Sequence, residues 1–217
     1  QLGFVNTATK ETRGAQIGFV NTTIRGMDGL QLGFVNVAKQ KLKGVQLSFV
    51  NYTDSVEKGV PIGFLSFVRR GGYQAVEYSF TEFYPVTVGF KTGVEKFYTS
   101  IFLAYNPSRD FAWNTVATGI GIGSVISLKN SFFFNPELTF LTPLGKNAEN
   151  RQLTSFVPFF GYNINKHFSI VAGPSVTWNS KNDNDDLQKP IFRIADFEIS
   201  DDHHIVVGAR GGIRYRF

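Results

Sequence analysis

The tetrapeptide Gly-Phe-Val-Asn stands at residues 3–6 and returns at 18–21 and 33–36. It drifts to Ser-Phe-Val-Asn at 48–51 and to Gly-Phe-Leu-Ser at 63–66, always at a step of 15 residues. Gln recurs in the same phase at Gln1, Gln16, Gln31 and Gln46, and Gly at Gly14, Gly29, Gly44 and Gly59. A fixed period of this size marks a stacked architecture and has to be read before any single element. Within a copy the alternation has period two. Val45, Leu47 and Phe49 share one side and Gln46 and Ser48 the other, so each copy predicts one strand of about six to eight residues. The rest of each copy is polar and ends in a Gly suited to positive φ, which predicts a turn there.

Two arrangements fit such copies. In a β-solenoid each repeat is a coil, and equivalent residues stack at about 4.8 Å. In an antiparallel meander, identical letters land at alternate ends and gain nothing from identity. The strict recurrence of Gln, Gly, Phe and Asn favours the solenoid. Asn6, Asn21, Asn36 and Asn51 then form an amide ladder, with Gln16, Gln31 and Gln46 as a second column and the Phe positions as an apolar one. We read the Asn column as structural rather than as a row for a ligand. The stack as a whole is expected to offer a regular docking surface for partner proteins.

Beyond about residue 71 the repeat gives way to longer alternating segments. The last is the most informative. Ile205, Val207, Ala209, Gly211, Ile213, Tyr215 and Phe217 form one face; Gly208, Arg210, Gly212, Arg214 and Arg216 form the other. An apolar face opposite a file of guanidiniums suits a transmembrane barrel strand, with lipid outside and a polar lumen inside. Glu137, on another segment, is expected to join Arg210, Arg214 and Arg216 in a lumen charge network. We expect eight strands at roughly 72–80, 83–92, 95–106, 111–128, 130–142, 152–164, 167–179 and 203–217, an even number as in bacterial barrels. Three of the four connections assigned to the outer rim are at least as long as any on the opposite, periplasmic rim. Residues 187–199 could add a strand pair. Pro136, Pro158 and Pro174 fall inside proposed strands and call for bulges, because each removes a ladder donor. An alternative joins the repeat strands to the others in one larger barrel, although they look short for spanning.

Composition narrows the function classes. Only 18% of residues are charged, against about 25% in a typical soluble domain. There are 23 Phe, 22 Gly and no Cys, which rules out disulfides and thiolate metal sites. The net charge of +5 is spread out, with no basic block for nucleic acid. No apolar run is long enough for a membrane helix. The chain opens inside a repeat, from which we expect a precursor that began earlier. No catalytic set stands out, and the chain reads as a non-enzyme without a cofactor. His203 is the only plausible base, and it lacks an evident nucleophile. His203 and His204 with Asp201 and Asp202 are a weak metal candidate. Residues 182–186 (Asn-Asp-Asn-Asp-Asp) lack the Gly and distal Glu of a calcium loop. Gly-Ile-Gly-Ile-Gly at 119–123 lacks the Lys and helix start of a nucleotide loop.

The repeat, with its closing variant Gly-Val-Pro-Ile-Gly-Phe-Leu-Ser-Phe at 59–67, resembles bacterial surface-repeat outer-membrane proteins of the Bacteroides type. Arg210, Gly212, Tyr215 and Phe217 likewise resemble the terminal assembly signal of outer-membrane barrels. The resemblance implies an all-β chain, with 1–70 a solenoid-like repeat region and 71–217 a small transmembrane barrel. It implies an outer-membrane location with the repeats on the periplasmic side. The implied partners are outer-membrane lipid, the barrel-insertion machinery, and other outer-membrane or periplasmic proteins of a complex serving uptake, secretion or barrel assembly. A small solute pore is the alternative function.

Overall fold

In the computed structural model, which describes residues 1–108, 115–144, 152–180, 190–200 and 203–217, the repeats wind as a parallel stack. Its strands are β1 (Val5–Ala8), β2 (Thr12–Ile17), β3 (Val20–Thr23), β4 (Met27–Leu32) and β5 (Val35–Arg70), in the order β1-β3-β5-β4-β2. Strand β5 runs unbroken through the third to fifth copies. The strands pair at a shift of 15: Asn6 faces Asn21, Asn21 faces Asn36, Gln16 faces Gln31, and Gln31 faces Gln46. The first two coils carry two strands each, β1 and β2 and then β3 and β4, and in the later copies the strand runs on without a break, where one strand and a polar turn per copy were expected. The recurrent Gly explains this. Gly14, Gly29 and Gly44 do have positive φ, at 106°, 137° and 123°, but they lie within strands and bend them without ending them.

The first compact unit comprises Gln1–Gln74 and Lys91–Thr99. The second piece of that unit closes the last coil. Thr99 Oγ1 donates to the carbonyl of Phe64 at 3.0 Å, and Thr92 Oγ1 to that of Ser66 at 2.7 Å. An open strand edge would otherwise present unpaired backbone groups there.

The remaining strands are β6 (Tyr73–Phe80), β7 (Val86–Val94), β8 (Phe97–Tyr105), β9 (Val116–Gly123), β10 (Ile126–Ser127), β11 (Phe132–Pro143), β12 (Leu153–Asn163), β13 (Phe168–Ser180), β14 (Ala195–Ser200) and β15 (His203–Arg216). Eight of them, β6, β7, β8, β9, β11, β12, β13 and β15, form a closed antiparallel barrel. Pairing of β15 with β6 joins the chain ends of the ring, and pairing of β9 with β11 completes it. The strands fall close to the expected eight. Residues 187–199 do contribute a strand, β14, but it pairs beside β15 off the ring and leaves the count at eight. The larger barrel is not formed: β1–β5 make their own sheet, and the ring closes without them.

The prolines need no bulges. Pro136 pairs opposite Pro158. The β12–β13 register, Phe156 with Val176 and Phe160 with Ala172, places Pro158 opposite Pro174. Three missing donors therefore share one row across three strands. Between β12 and β13 the ladder lapses over Val157–Phe159 and Gly173–Ser175 and resumes in the same register on either side.

Candidate functional site

Alternation in the barrel strands sends charge inward. In β15, Arg210 and Arg214 are buried while Ala209, Ile213 and Tyr215 are exposed. The carboxylate partners of the two arginines come from the opposite end of the barrel sequence. Arg210 Nε donates to Glu82 Oε2 at 3.1 Å, and its Nη2 to Ser155 Oγ at 2.6 Å. Its Nη1 donates to Thr139 Oγ1 at 3.2 Å, and Thr177 Oγ1 donates to Glu82 Oε1. Arg214 Nε donates to Glu77 Oε2 at 2.7 Å and its Nη2 to Asn135 Oδ1 at 2.7 Å, with its guanidinium over the Phe133 ring. Such charges are costly to desolvate and are tolerable only when paired and hydrogen-bonded on all sides, as here.

Glu137 is buried on β11 and lines the same small cleft as Arg210, Glu77 and Thr139. Glu77 and Glu82 form ion pairs with Arg214 and Arg210. Sequence reading missed both. Glu77 sits between outward Val76 and Tyr78 and carried a usable signal, a carboxylate on the inward phase of "YQAVEYSF". Glu82 had none, because the short connection that holds it reads as a solvated turn, yet its carboxylate is fully buried. Arg216 is half-buried at the strand end. Two apolar clusters share the interior: Phe83, Tyr84, Phe102, Ala104, Ala117, Leu141, Leu153 and Val206, and separately Phe133, Val157, Phe159 and Val171. A small cleft among the described residues of the interior has room for about one water molecule.

At the end of β15, Gly212 pairs opposite Ser79 and Tyr215 opposite Val76. The Tyr215 ring meets Phe168 at 5.1 Å and Phe217 at 5.3 Å, both edge-on, so Tyr215 and Phe217 belong to an exposed aromatic group.

The repeat unit contains two amide ladders of opposite polarity. Gln16, Gln31 and Gln46 each donate Nε2 to the Oε1 of the preceding copy, at 2.6, 2.7 and 2.8 Å. Asn6, Asn21 and Asn36 each donate Nδ2 to the Oδ1 of the following copy, at 2.9, 2.9 and 3.3 Å. An amide serves as both donor and acceptor, so it is satisfied by a copy of itself. In the closing copy Ser66 accepts from Asn51 at 3.3 Å. Pro61 replaces the next Gln, and Gln46 Oε1 is left without a hydrogen bond. Asn21, Asn36, Asn51, Gln16, Gln31 and Gln46 are fully buried, so a docked partner could not touch them. Where a Gly-Phe-Val-Asn stacks on a preceding copy, its Gly permits close approach: a Cβ on Gly33 would sit 2.4 Å from the Gly18 carbonyl oxygen.

The outer surface is divided. The Phe rings of successive coils stack at 4.9–5.1 Å and within 9° of parallel. Phe19, Phe34 and Phe49 are 44–45% exposed. On the far arc, Asp54 accepts from Arg69 and Arg70, and the Arg69 guanidinium holds its carboxyl below the ordinary carboxylate value. Lys41 and Lys43 do the same for Glu57.

Among the described residues no three metal-binding side chains converge. His204 Nδ1 lies 3.2 Å from Asp196 Oδ1, and His203 packs near the Trp178 ring. Asp201, Asp202 and the acidic segment 182–186 lie outside the described residues. Compared with known protein families, curated proteins and solved structures, the chain matches none.

Proposed function

We propose that this chain is an outer-membrane β-barrel protein with a closed lumen, acting without catalysis as a structural or accessory subunit of a larger outer-membrane complex. One observation carries the membrane reading: the barrel is inside-out by the standards of water. Glu77, Glu82, Arg210 and Arg214 are buried, whereas Leu103, Ile120, Phe156, Phe160, Ile170, Trp178 and Ile213 are exposed. A soluble barrel buries the second group and solvates the first; a lipid-embedded one does the reverse. Among the described residues, Glu77, Phe102, Phe159, Arg210 and Arg214 are buried inside the barrel, which favours a structural role over a pore. Arg210, Gly212, Tyr215 and Phe217 serve on this reading as the signal read by the insertion machinery, and the resemblance of the repeats to surface-repeat proteins agrees with it. Uptake, secretion and barrel assembly are the processes such a subunit would serve.

The test is extraction of native membranes in mild detergent. The folded barrel should run anomalously fast on gels until boiled, and should co-purify with defined outer-membrane proteins. A chain that stays in the soluble fraction with no heat-dependent shift sinks the membrane reading. One that always emerges alone removes the accessory role.

A further inference from the structure

The repeat unit has its own reversal of polarity. In a coil built for water, apolar columns fill the interior and amides are few. Here the interior is divided between the buried Gln and Asn ladders and a small apolar cluster of Met27, Ala38 and Leu42. The residues turned outward from each Gln-to-Asn arc are Leu or Ile and Phe: Leu32 and Phe34 in the third coil, Leu47 and Phe49 in the fourth. Five coils at about 4.8 Å spacing make this an unbroken apolar ridge about 20 Å long. Isolated exposed hydrophobics need no explanation, but a contiguous ridge of stacked rings does.

Charge is segregated with equal strictness. No Asp, Glu, Lys or Arg occurs in residues 1–6, 16–21, 31–36, 46–51 or 61–66. All the charged residues of the repeats lie on the other arc, where nine cations face four acids. That surplus of five equals the net charge of the whole chain, so the remainder of the protein is balanced. Of the acids, Asp54 and Glu57 are each held by two cations and Glu11 by Arg13. An apolar face backed by a cationic one is the profile of an element lying in a membrane interface, and cations at that depth are drawn to anionic headgroups.

We propose that the Gln-to-Asn arc of the repeat stack is a lipid-contacting surface, seated at the hydrocarbon border of a bilayer, with the Lys/Arg arc held against anionic lipid headgroups. The inference rests on the membrane reading above for the presence of a bilayer, but goes beyond it: the barrel alone would leave the stack in water or against protein.

The absence of cysteine makes single-site labelling of the full chain clean. Phe34→Cys, Leu47→Cys, Lys41→Cys and Ile213→Cys would each be labelled with a polarity-sensitive fluorophore. The proteins would be reconstituted in vesicles of phosphatidylethanolamine and phosphatidylglycerol, or of phosphatidylcholine alone. Doxyl groups on the acyl chains report lipid contact, and iodide reports water. In the anionic vesicles, labels at 34 and 47 should be quenched severalfold more by doxyl lipid than by iodide, like the barrel label at 213, and the label at 41 should show the reverse. In phosphatidylcholine the labels at 34 and 47 should lose doxyl quenching while 213 keeps it.

If 213 responds to doxyl but 34 and 47 respond to iodide, the stack is in water and the inference falls while the membrane reading stands. If 34 and 47 are shielded from both quenchers, protein covers the ridge and lipid is again excluded. Silence at 213 as well removes the membrane reading itself. Equal signals in the two lipids overturn the role given to the cationic arc.

Discussion

The repeat stack and the barrel solve the same problem with opposite grammars. Both bury polar groups and turn apolar ones outward. In the stack, parallel strands in a 15-residue register bring each residue against its own copy, so the buried groups must satisfy themselves. Amides do, and a buried column of like charges would not. In the barrel, antiparallel strands bring unlike residues together, and the buried groups are complementary: Arg210 with Glu82, Arg214 with Glu77. Hence the first third or so of the chain repeats its letters and the rest does not. Even on the outer arc of the stack, where charge is allowed, Arg13, Asp28 and Lys43 succeed one another in register with alternating sign.

The contrast is breakable. Arg210→Leu should have the largest effect, about 3–5 kcal/mol, because it leaves Glu82 buried and unpaired. Denaturant unfolding followed by the gel shift would read it, and the double change with Glu82→Gln should recover much of the loss. If Arg210→Leu alone is neutral, unlike pairing is not what holds the barrel.

Gly44→Ala tests the other grammar. Its φ is +123°, and a Cβ there would lie 2.1 Å from the Gly29 carbonyl oxygen. We expect a loss of about 3 kcal/mol, seen as protease cleavage within the repeats while the barrel keeps its gel shift. Loss of both together would mean that the two units do not unfold separately.

Asn36→Ala should cost about 2 kcal/mol, since it breaks the ladder on both sides, leaving Asn21 Nδ2 with backbone carbonyls and Asn51 Oδ1 with Ser48 alone, and opens a gap inside the coil. Asn36→Gln, longer by one methylene, should not rescue it. Thermal melting of the repeat unit is the measurement.

The smallest expected effect is acid sensitivity. The Asp54 carboxyl lies below its ordinary value of 3.8 through its hydrogen bond and ion pairing with Arg69 and Arg70. A depressed carboxylate stabilises above the unfolded value and loses that contribution as pH falls through the folded one. The repeat unit should therefore be indifferent to pH between about 7 and 5 and begin to weaken below about 4. Asp54→Asn should flatten that limb slightly.

The period, the ladders and the faces of the barrel strands were all legible in the chain, because each depends on residues a few positions or one fixed step apart. Alternation in β11, β13 and β15 could be read directly, and the letters common to all copies announced a shift of 15. That the strands run through the recurrent glycines could not be read, because whether Gly29 or Gly44 ends a strand or bends it depends on the coil stacked against it. The proline row escaped because Pro136, Pro158 and Pro174 align only once three registers are set. The lumen partners escaped for a related reason: Glu82 and Arg210 are 128 residues apart, and local pattern cannot carry a choice between Glu77, Glu82 and Glu137. What the sequence determined by itself was periodicity and polarity, which are local. What only the tertiary structure decided was which polar groups meet and which side of the coil is outside, because closure of the ring and winding of the stack bring together residues that no local rule relates.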